Sequence, residues 1–405
     1  MNSMRNETTI LITGLHRTVD NGEFLLLIGL VRGLEREFSD HKFRIYLLCD
    51  YGRVDEIRIK KALLNCNNIE VKVIYPLGTQ YILPILRIAL YIPLILKSHI
   101  VIHLGADGFS DEAAGGPLST IYHGLQILIA HFLRRPVILL SATIGPFKTS
   151  NTRSYALFIL KRVSGLTIRQ GSSELYLKEL GLRNFIPVAD LAFLISNSKS
   201  AVAPTKGKSS FYERPLASIV VNKHIYNRFP KYIDAMALVV DRLCDKGFNV
   251  LIIPQIIHGK YDEIPIARAI QRKTVHKNNI EIAENICPSD MIELFHRSEI
   301  VVSSKYHSSI ISFLTLTPTI TLNYHPKVRD LHEMLDVSDC LVEITRDYSA
   351  FLAELLEKIE TVLNKKGVIR NKIENNLSMC IVRSIKNIKL IHNWLYPQTR
   401  SCTVA

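Results

Sequence analysis

The run Ser303-Ser304-Lys305-Tyr306-His307-Ser308-Ser309 follows the apolar stretch Ile300 to Val302 and leads into another, Ser308 to Leu314. A buried strand feeding a helix in this way delivers a cation, a phenol and an imidazole to a helix N-terminus, where unpaired backbone N–H groups favour an anion. An imidazole titrates near neutrality and can both take and give a proton, so His307 is the candidate general acid/base. Lys305, Tyr306 and Ser308 are the candidate anion binders beside it. A core histidine is the plainer reading of any single His; the polar company of this one favours chemistry. Leu322-Asn323-Tyr324-His325-Pro326-Lys327-Val328-Arg329-Asp330 repeats the arrangement at the next apolar run and adds His325, Lys327 and Arg329. Pro254-Gln255-Ile256-Ile257-His258 follows a further run and is expected on the same side.

The first half of the chain has its own polar stretches after apolar runs. Gly14 to Glu23 contains neither GxGxxG nor a phosphate-cradling P-loop, which argues against a dinucleotide fold and an NTPase; Asn21, Gly22 and Glu23 are its candidate cleft residues. The loop after Leu104 holds four glycines between Gly105 and Gly116, and glycine lets backbone approach a ligand closely, so Gly105 and Asp107 join the candidates. A plain surface loop explains it equally well. Ser141 to Phe147 ends a run on a sharp Gly145-Pro146 turn, with Thr143 placed to touch substrate. Arg169 closes the next run ahead of Gly171-Ser172-Ser173-Glu174, a helix start read as serine-capped. A guanidinium there makes a fork for a carboxylate or phosphate, or else pairs with Glu174 or another carboxylate. No metal-ligand spacing of the HExxH or DxD kind occurs, so a reaction without metal or bound cofactor is expected.

These residues all sit where short apolar runs end, and the runs alternate with helix-like segments throughout. Thr8–Gly14, Phe43–Cys49, Val71–Tyr75, Ile100–Leu104, Val137–Ser141, Gly165–Ile168 and Phe185–Val188 make a first series; Ala217–Val221, Val250–Ile253, Glu281–Ile282, Ile300–Val302 and Thr319–Leu322 make a second. The expectation is an α/β protein of two doubly wound, Rossmann-like domains facing a cleft, with ligands at the carboxyl ends of the strands. Residues 1–196 form the first domain, the Ser- and Lys-rich stretch 197–213 a linker, 214–347 the second domain and 348–405 two C-terminal helices.

In 405 residues, 50 Lys and Arg stand against 37 Asp and Glu, a net charge of +13, with 47% hydrophobic and 21% charged residues. That composition excludes a disordered or fibrous chain and points to a negatively charged partner. Residues 1–195 hold 22 basic against 16 acidic residues and residues 196–405 hold 28 against 21, so no basic arm grips nucleic acid, which is not expected as a partner. Seven scattered cysteines read as reduced thiols, and the polar N-terminus has no signal-peptide core, which together imply a cytoplasmic protein. Tyr81 to Leu96 is the most apolar stretch, too short and proline-broken to span a bilayer. It reads either as a helix packed between two strands or as a patch that dips into a membrane interface.

In order from Ile10 to Leu335, the chain resembles the polysaccharide pyruvyl transferase family. The resemblance is carried by Asp20-Asn21-Gly22-Glu23, the glycine loop after Leu104, Ile144-Gly145-Pro146-Phe147, Arg169 with Ser172 and Ser173, Asp190-Leu191-Ala192-Phe193, Lys305-Tyr306-His307-Ser308 and Asn323-Tyr324-His325-Pro326-Lys327. It implies a variant of the two-domain glycosyltransferase-B architecture, with an acceptor-side first domain and a donor-side second domain. It further implies transfer of the enolpyruvyl unit of phosphoenolpyruvate to two hydroxyls of a sugar, leaving a cyclic pyruvate ketal and free phosphate. Arg169 and Lys305 would then hold the donor and His307 carry the catalysis. Position 305 departs from the pattern, being Lys where the family commonly has Arg; a Lys neutralises an anion without gripping it bidentately. Phosphoenolpyruvate carries about three negative charges near neutral pH, which Arg169, Lys305, Lys327 and a helix N-terminus would offset. The acceptor would be a sugar or oligosaccharide, free or lipid-linked, the latter bringing the protein to the inner face of a membrane. A nucleotide-sugar glycosyltransferase, with Glu284 or Glu293 on the ribose, and an inactive carbohydrate-binding relative are the competing readings.

Overall fold

The structure is a computed structural model; it describes residues 7–63, 66–75, 84–105, 107–111, 116–169, 171–195 and 209–397, with the backbone alone at 84–87, 209, 210 and 260. The first domain alternates β1 (Glu7–Thr13), α1 (Asn21–Glu37), β2 (Lys42–Leu48), α2 (Arg53–Ala62), β3 (Ile69–Ile74), α3 (Pro84–Lys97), β4 (Ile100–Leu104), α4 (Pro117–Phe132), β5 (Val137–Ala142), α5 (Ser150–Leu160), β6 (Gly165–Arg169), α6 (Ser172–Glu179) and β7 (Ile186–Val188). Its strands are parallel and ordered β3-β2-β1-β4-β5-β6-β7.

The second domain comprises β8 (Leu216–Val220), α7 (Lys223–Arg228), α8 (Tyr232–Asp245), β9 (Asn249–Ile253), α9 (Ile264–Lys273), β10 (Ile280–Ile282), α10 (Pro288–Arg297), β11 (Ser298–Ser303), α11 (Tyr306–Leu314), β12 (Thr319–Asn323), α12 (Pro326–Met334) and β13 (Leu341–Glu343). Its sheet, also parallel, runs β10-β9-β8-β11-β12-β13, the same winding outward from the first strand. The chain ends in α13 (Tyr348–Asn364) and α14 (Lys366–Leu395). Of the stretch read as a linker, residues 197–208 lie outside the described residues, and Ser209–Glu213 form a short 3-10 turn.

Strand residues alternate between two cores, as a two-sided sheet requires. Leu11, Val101 and Leu139 pack with Tyr91, Ile127 and Ile159 beneath α3, α4 and α5. Ile10, Ile12 and Ile102 face the other way, into a core that continues through α1 and α14 to the second sheet. α1 starts where the Asp20 carboxylate accepts the Gly22 N–H, and its apolar residues Phe24, Leu25, Leu27, Leu30, Val31 and Leu34 are buried in that second core. α14 returns to the first domain, where Ser384 donates to the Asp190 carbonyl at 2.7 Å and Asn387 to the Ala189 carbonyl at 3.3 Å. Within the apolar stretch 81–96, residues 81–83 lie outside the described residues; the rest is α3, with Ile88, Tyr91, Leu94 and Ile95 buried and Ile92 and Leu96 exposed. No helix among the described residues is long and apolar enough to cross a membrane.

Candidate active site

In each sheet the winding reverses beside its first strand, between β1 and β4 and between β8 and β11, and such reversals open a crevice at the strands' carboxyl ends. The four loops leaving those strands meet around one cavity of about 330 Å³. Asp20, Gly22 and Glu23 come from the loop after β1, Asp107 from the loop after β4, Asn222, Lys223 and His224 from the end of β8, and Lys305, Tyr306 and His307 from the end of β11. Tyr324, His325 and Lys327 arrive from the end of β12.

His307 stands in the first turn of α11, opposite the first turn of α1. A side chain at Gly22 would put a Cβ 2.7 Å from His307 Nδ1, so the missing side chain is what lets the two helix starts come together. The other nitrogen, Nε2, is sealed from solvent 3.7 Å from Asp190 Oδ2. Asp190 is fully buried and also faces Arg169, whose Nε lies 2.6 Å away. Burial alone would raise that carboxyl, but Arg169 and His307 hold it down at about 2. Arg169 Nη1 donates to Thr143 Oγ1 at 2.9 Å and lies 3.3 Å from Asp107 Oδ1, while Lys327 pairs with the other oxygen of Asp107. Burial opposes ionisation of Asp107 too, yet Lys327 and Arg169 keep it well below the usual carboxylate range. Tyr306 closes the cluster with both cations 5.2 Å from its ring centroid.

Lys305 Nζ lies 2.7 Å from Glu263, a buried carboxylate that also accepts the backbone N–H groups of Lys223, Gln255 and Ile256. The cavity is lined by five cations (Arg17, Lys223, Arg228, Lys305, Lys327) and four carboxylates (Asp20, Glu23, Asp107, Glu263), a formal surplus of 5 − 4 = +1. Lys223 and Arg228 form no ion pair among the described residues. Burial first, and then Arg228 and Lys305, hold His224 below its ordinary value.

Glu23 also lines the cavity. Its Oε2 is buried without a hydrogen-bond partner, and burial together with neighbouring Asp20 pushes its carboxyl up to about 8, against the pull of Arg17. His325 accepts the Lys327 N–H through Nδ1 at 3.3 Å; burial and Lys327 lower it to about 4, so it is neutral at pH 7.

Other candidates from the sequence stand outside the lining. Arg169 lies behind the wall, 4% exposed, with its charge met by Asp190 and Asp107. Thr143 positions Arg169. Asn21 turns away to the Ile286 carbonyl, at 3.2 Å. Gly105 packs against Ala142, Gly145 against Tyr176, and Ser308 is fully buried within α11. The start of α6 differs from the serine-capped reading: Gly171 is its N-cap, and Asp330 of the second domain accepts both the N–H and the hydroxyl of Ser172, at 3.0 and 2.7 Å. That helix N-terminus already holds an anion, supplied by the protein. Glu284 pairs with Arg268 on the surface, and neither it nor Glu293 lines the cavity. Arg17, Lys223, His224, Arg228 and Glu263 are cavity residues that the sequence reading passed over, and Asp20 entered it only as part of a motif. Asn222-Lys223-His224 follows β8 directly, so the strand-end rule that found Lys305 would have found them.

The family model for polysaccharide pyruvyl transferase matches residues 22–326. The amylovoran biosynthesis protein AmsJ of Erwinia amylovora is 22% identical, with 90% of this chain and 94% of that protein aligned. Among solved structures, the UDP-GlcNAc 2-epimerase of Neisseria meningitidis bound to UDP-GlcNAc superposes with a TM-score of 0.60 at 12% identity, over 96% of this chain and all (100%) of that one. The spinosyn rhamnosyltransferase SpnG with spinosyn aglycone gives 0.54 at 12% identity, over 95% and 100%. At that identity the likeness is one of fold: two Rossmann-like domains in the glycosyltransferase-B arrangement.

Proposed function

Since the chain belongs to the polysaccharide pyruvyl transferase family, and is thus a transferase in polysaccharide biosynthesis, we propose that it builds a pyruvate ketal on a sugar of a cell-surface polysaccharide or its precursor, with phosphoenolpyruvate as donor. The observation that carries this reading is one cavity holding surplus cations, an imidazole backed by a buried carboxylate and a second carboxyl that keeps its proton near neutrality.

The first sugar hydroxyl adds to the central carbon of the donor, which requires that hydroxyl to lose a proton and the methylene carbon to gain one. The second hydroxyl then displaces phosphate and gives up its own proton, which leaves with the phosphate, so two C–O bonds form, one C–O bond to phosphate breaks, and the methylene becomes a methyl. His307 takes the hydroxyl proton through Nδ1, the nitrogen facing the start of α1, while ionised Asp190 stabilises the imidazolium from the Nε2 side. Glu23, protonated at pH 7, supplies the proton to the methylene carbon. Lys223 and Arg228, which form no ion pair among the described residues, meet the phosphate with Lys305, and Lys327 meets the carboxylate. Arg169 acts from behind, fixing Asp190 and Asp107. No metal or cofactor takes part in this scheme.

A bound ligand raises apparent stability, so a thermal-shift series tests the donor. Phosphoenolpyruvate should raise Tm and nucleotide sugars should not, with the shift lost in Lys223→Ala/Arg228→Ala. A shift with a nucleoside diphosphate sugar alone would favour the glycosyltransferase reading.

A further inference from the structure

From Val71 to Ser173 the chain has ten Lys and Arg and three carboxylates, Asp107, Asp111 and Glu112, all in the one loop after β4. The outer helices α3, α4 and α5 therefore carry no acidic residue. They lie side by side over one core, and their outward faces expose large apolar side chains: Ile92 and Leu96 on α3, Leu118 (73% exposed), Ile121 and Phe132 (72%) on α4, and Phe158 on α5. Exposed cations fringe this face, with Lys97, Arg134 and Lys161 at the carboxyl ends of the three helices and Lys148 and Arg153 around the amino end of α5. At its upper edge Leu118 adjoins Ser119, which lines the cavity.

We infer that the outer face of α3, α4 and α5 docks on a bilayer surface bearing anionic headgroups and so presents the mouth of the cavity to an acceptor anchored in that bilayer. Apolar side chains ringed by cations on helices lying in the plane of the surface suit that environment, since the chains enter the acyl boundary and the cations meet the headgroups. A second copy of the chain suits it less. A two-fold interface would press one acid-free, cation-fringed face against another. Only the nature of the delivered acceptor rests on the transferase reading; the docking itself does not.

Flotation with vesicles of phosphatidylcholine alone or mixed with phosphatidylglycerol tests it on the full chain. The wild type should float with the mixed vesicles, weakly with neutral ones, and less as salt rises. Phe132→Glu and Leu118→Glu, both at exposed positions, should lower the bound fraction about tenfold or more, and Arg134→Glu with Lys161→Glu by a similar factor at roughly fivefold per cation. Wild type left unbound by the mixed vesicles would overturn the inference, as would a wild-type dimer in sedimentation that Phe132→Glu splits. Phosphate release on a soluble acceptor, unchanged in Phe132→Glu, separates a failure of docking from a failure of the transferase reading.

Discussion

His307 and Glu23 divide the proton traffic of the proposed reaction, and each can be tested by itself. His307→Asn should lower kcat about 10²- to 10⁴-fold, the usual worth of a positioned acid/base, while leaving donor affinity within a few-fold, because the cations are untouched. Isothermal titration beside steady-state kinetics separates the two quantities. Glu23 holds its proton up to about pH 8, so the rate should fall as pH rises through that value, and Glu23→Gln should be slow with that limb of the pH profile gone. Lys305-Tyr306-His307 were legible in the sequence because three informative residues stand together after an apolar run. Asp190 and Glu263, which fix His307 and Lys305, were not assigned there, because a buried counter-charge is recruited from a distant part of the chain and no local spacing announces it.

The decisive elements are helix starts and the loops that cross between domains. α1 can approach α11 only because position 22 lacks a side chain. Gly22→Ala should push His307 aside and lower kcat about tenfold or more, out of proportion to a small loss of Tm, since misplacement of a catalytic group by about 1 Å can cost on the order of a hundredfold. The loop after β4 holds Asp107 between Arg169 and Lys327, where an anionic substrate would also be drawn. Asp107→Asn frees Lys327, while Arg169 keeps Asp190, and should tighten phosphoenolpyruvate binding several-fold, measurable by titration, as it loosens the contact between the domains. Most strands could be read from apolar runs because parallel strands buried on both faces leave that signature. β13, three residues long, and α2, whose exposed positions blur its period, left no such mark. The start of α6 misled for another reason: serines suggest a local cap, and the anion that fills the position comes from Asp330, 158 residues away.

For the whole molecule, buried histidines and paired carboxylates set the response to acid. His103 and His332 are fully buried and His123 partly so, and all three are held low chiefly by burial, His123 and His332 at about 4. The unfolded chain binds protons at these sites from about pH 6.5 downwards while the folded one does not, so stability should fall as pH drops from 7 towards 4, by up to about 3 kcal/mol each for His123 and His332. Asp107 and Asp190, depressed in the fold, add further loss at the acid end. Glu23, raised in the fold, works the other way and costs stability as pH rises from about 4.5 to about 8. Thermal melts between pH 4 and 9 should therefore peak near neutrality. The net charge of +13 divides evenly between the halves, and that evenness hid its local pattern; the acid-free helices of the first domain stand out only once α3, α4 and α5 are seen side by side. The central claim meets its most direct test in the product. Incubated with phosphoenolpyruvate and a panel of soluble and lipid-linked glycans, the protein should release phosphate only with a competent acceptor, which gains by mass spectrometry one pyruvate ketal per phosphate. Transfer of a glycosyl unit from a nucleotide sugar to the same glycans, with phosphoenolpyruvate left intact, would contradict it.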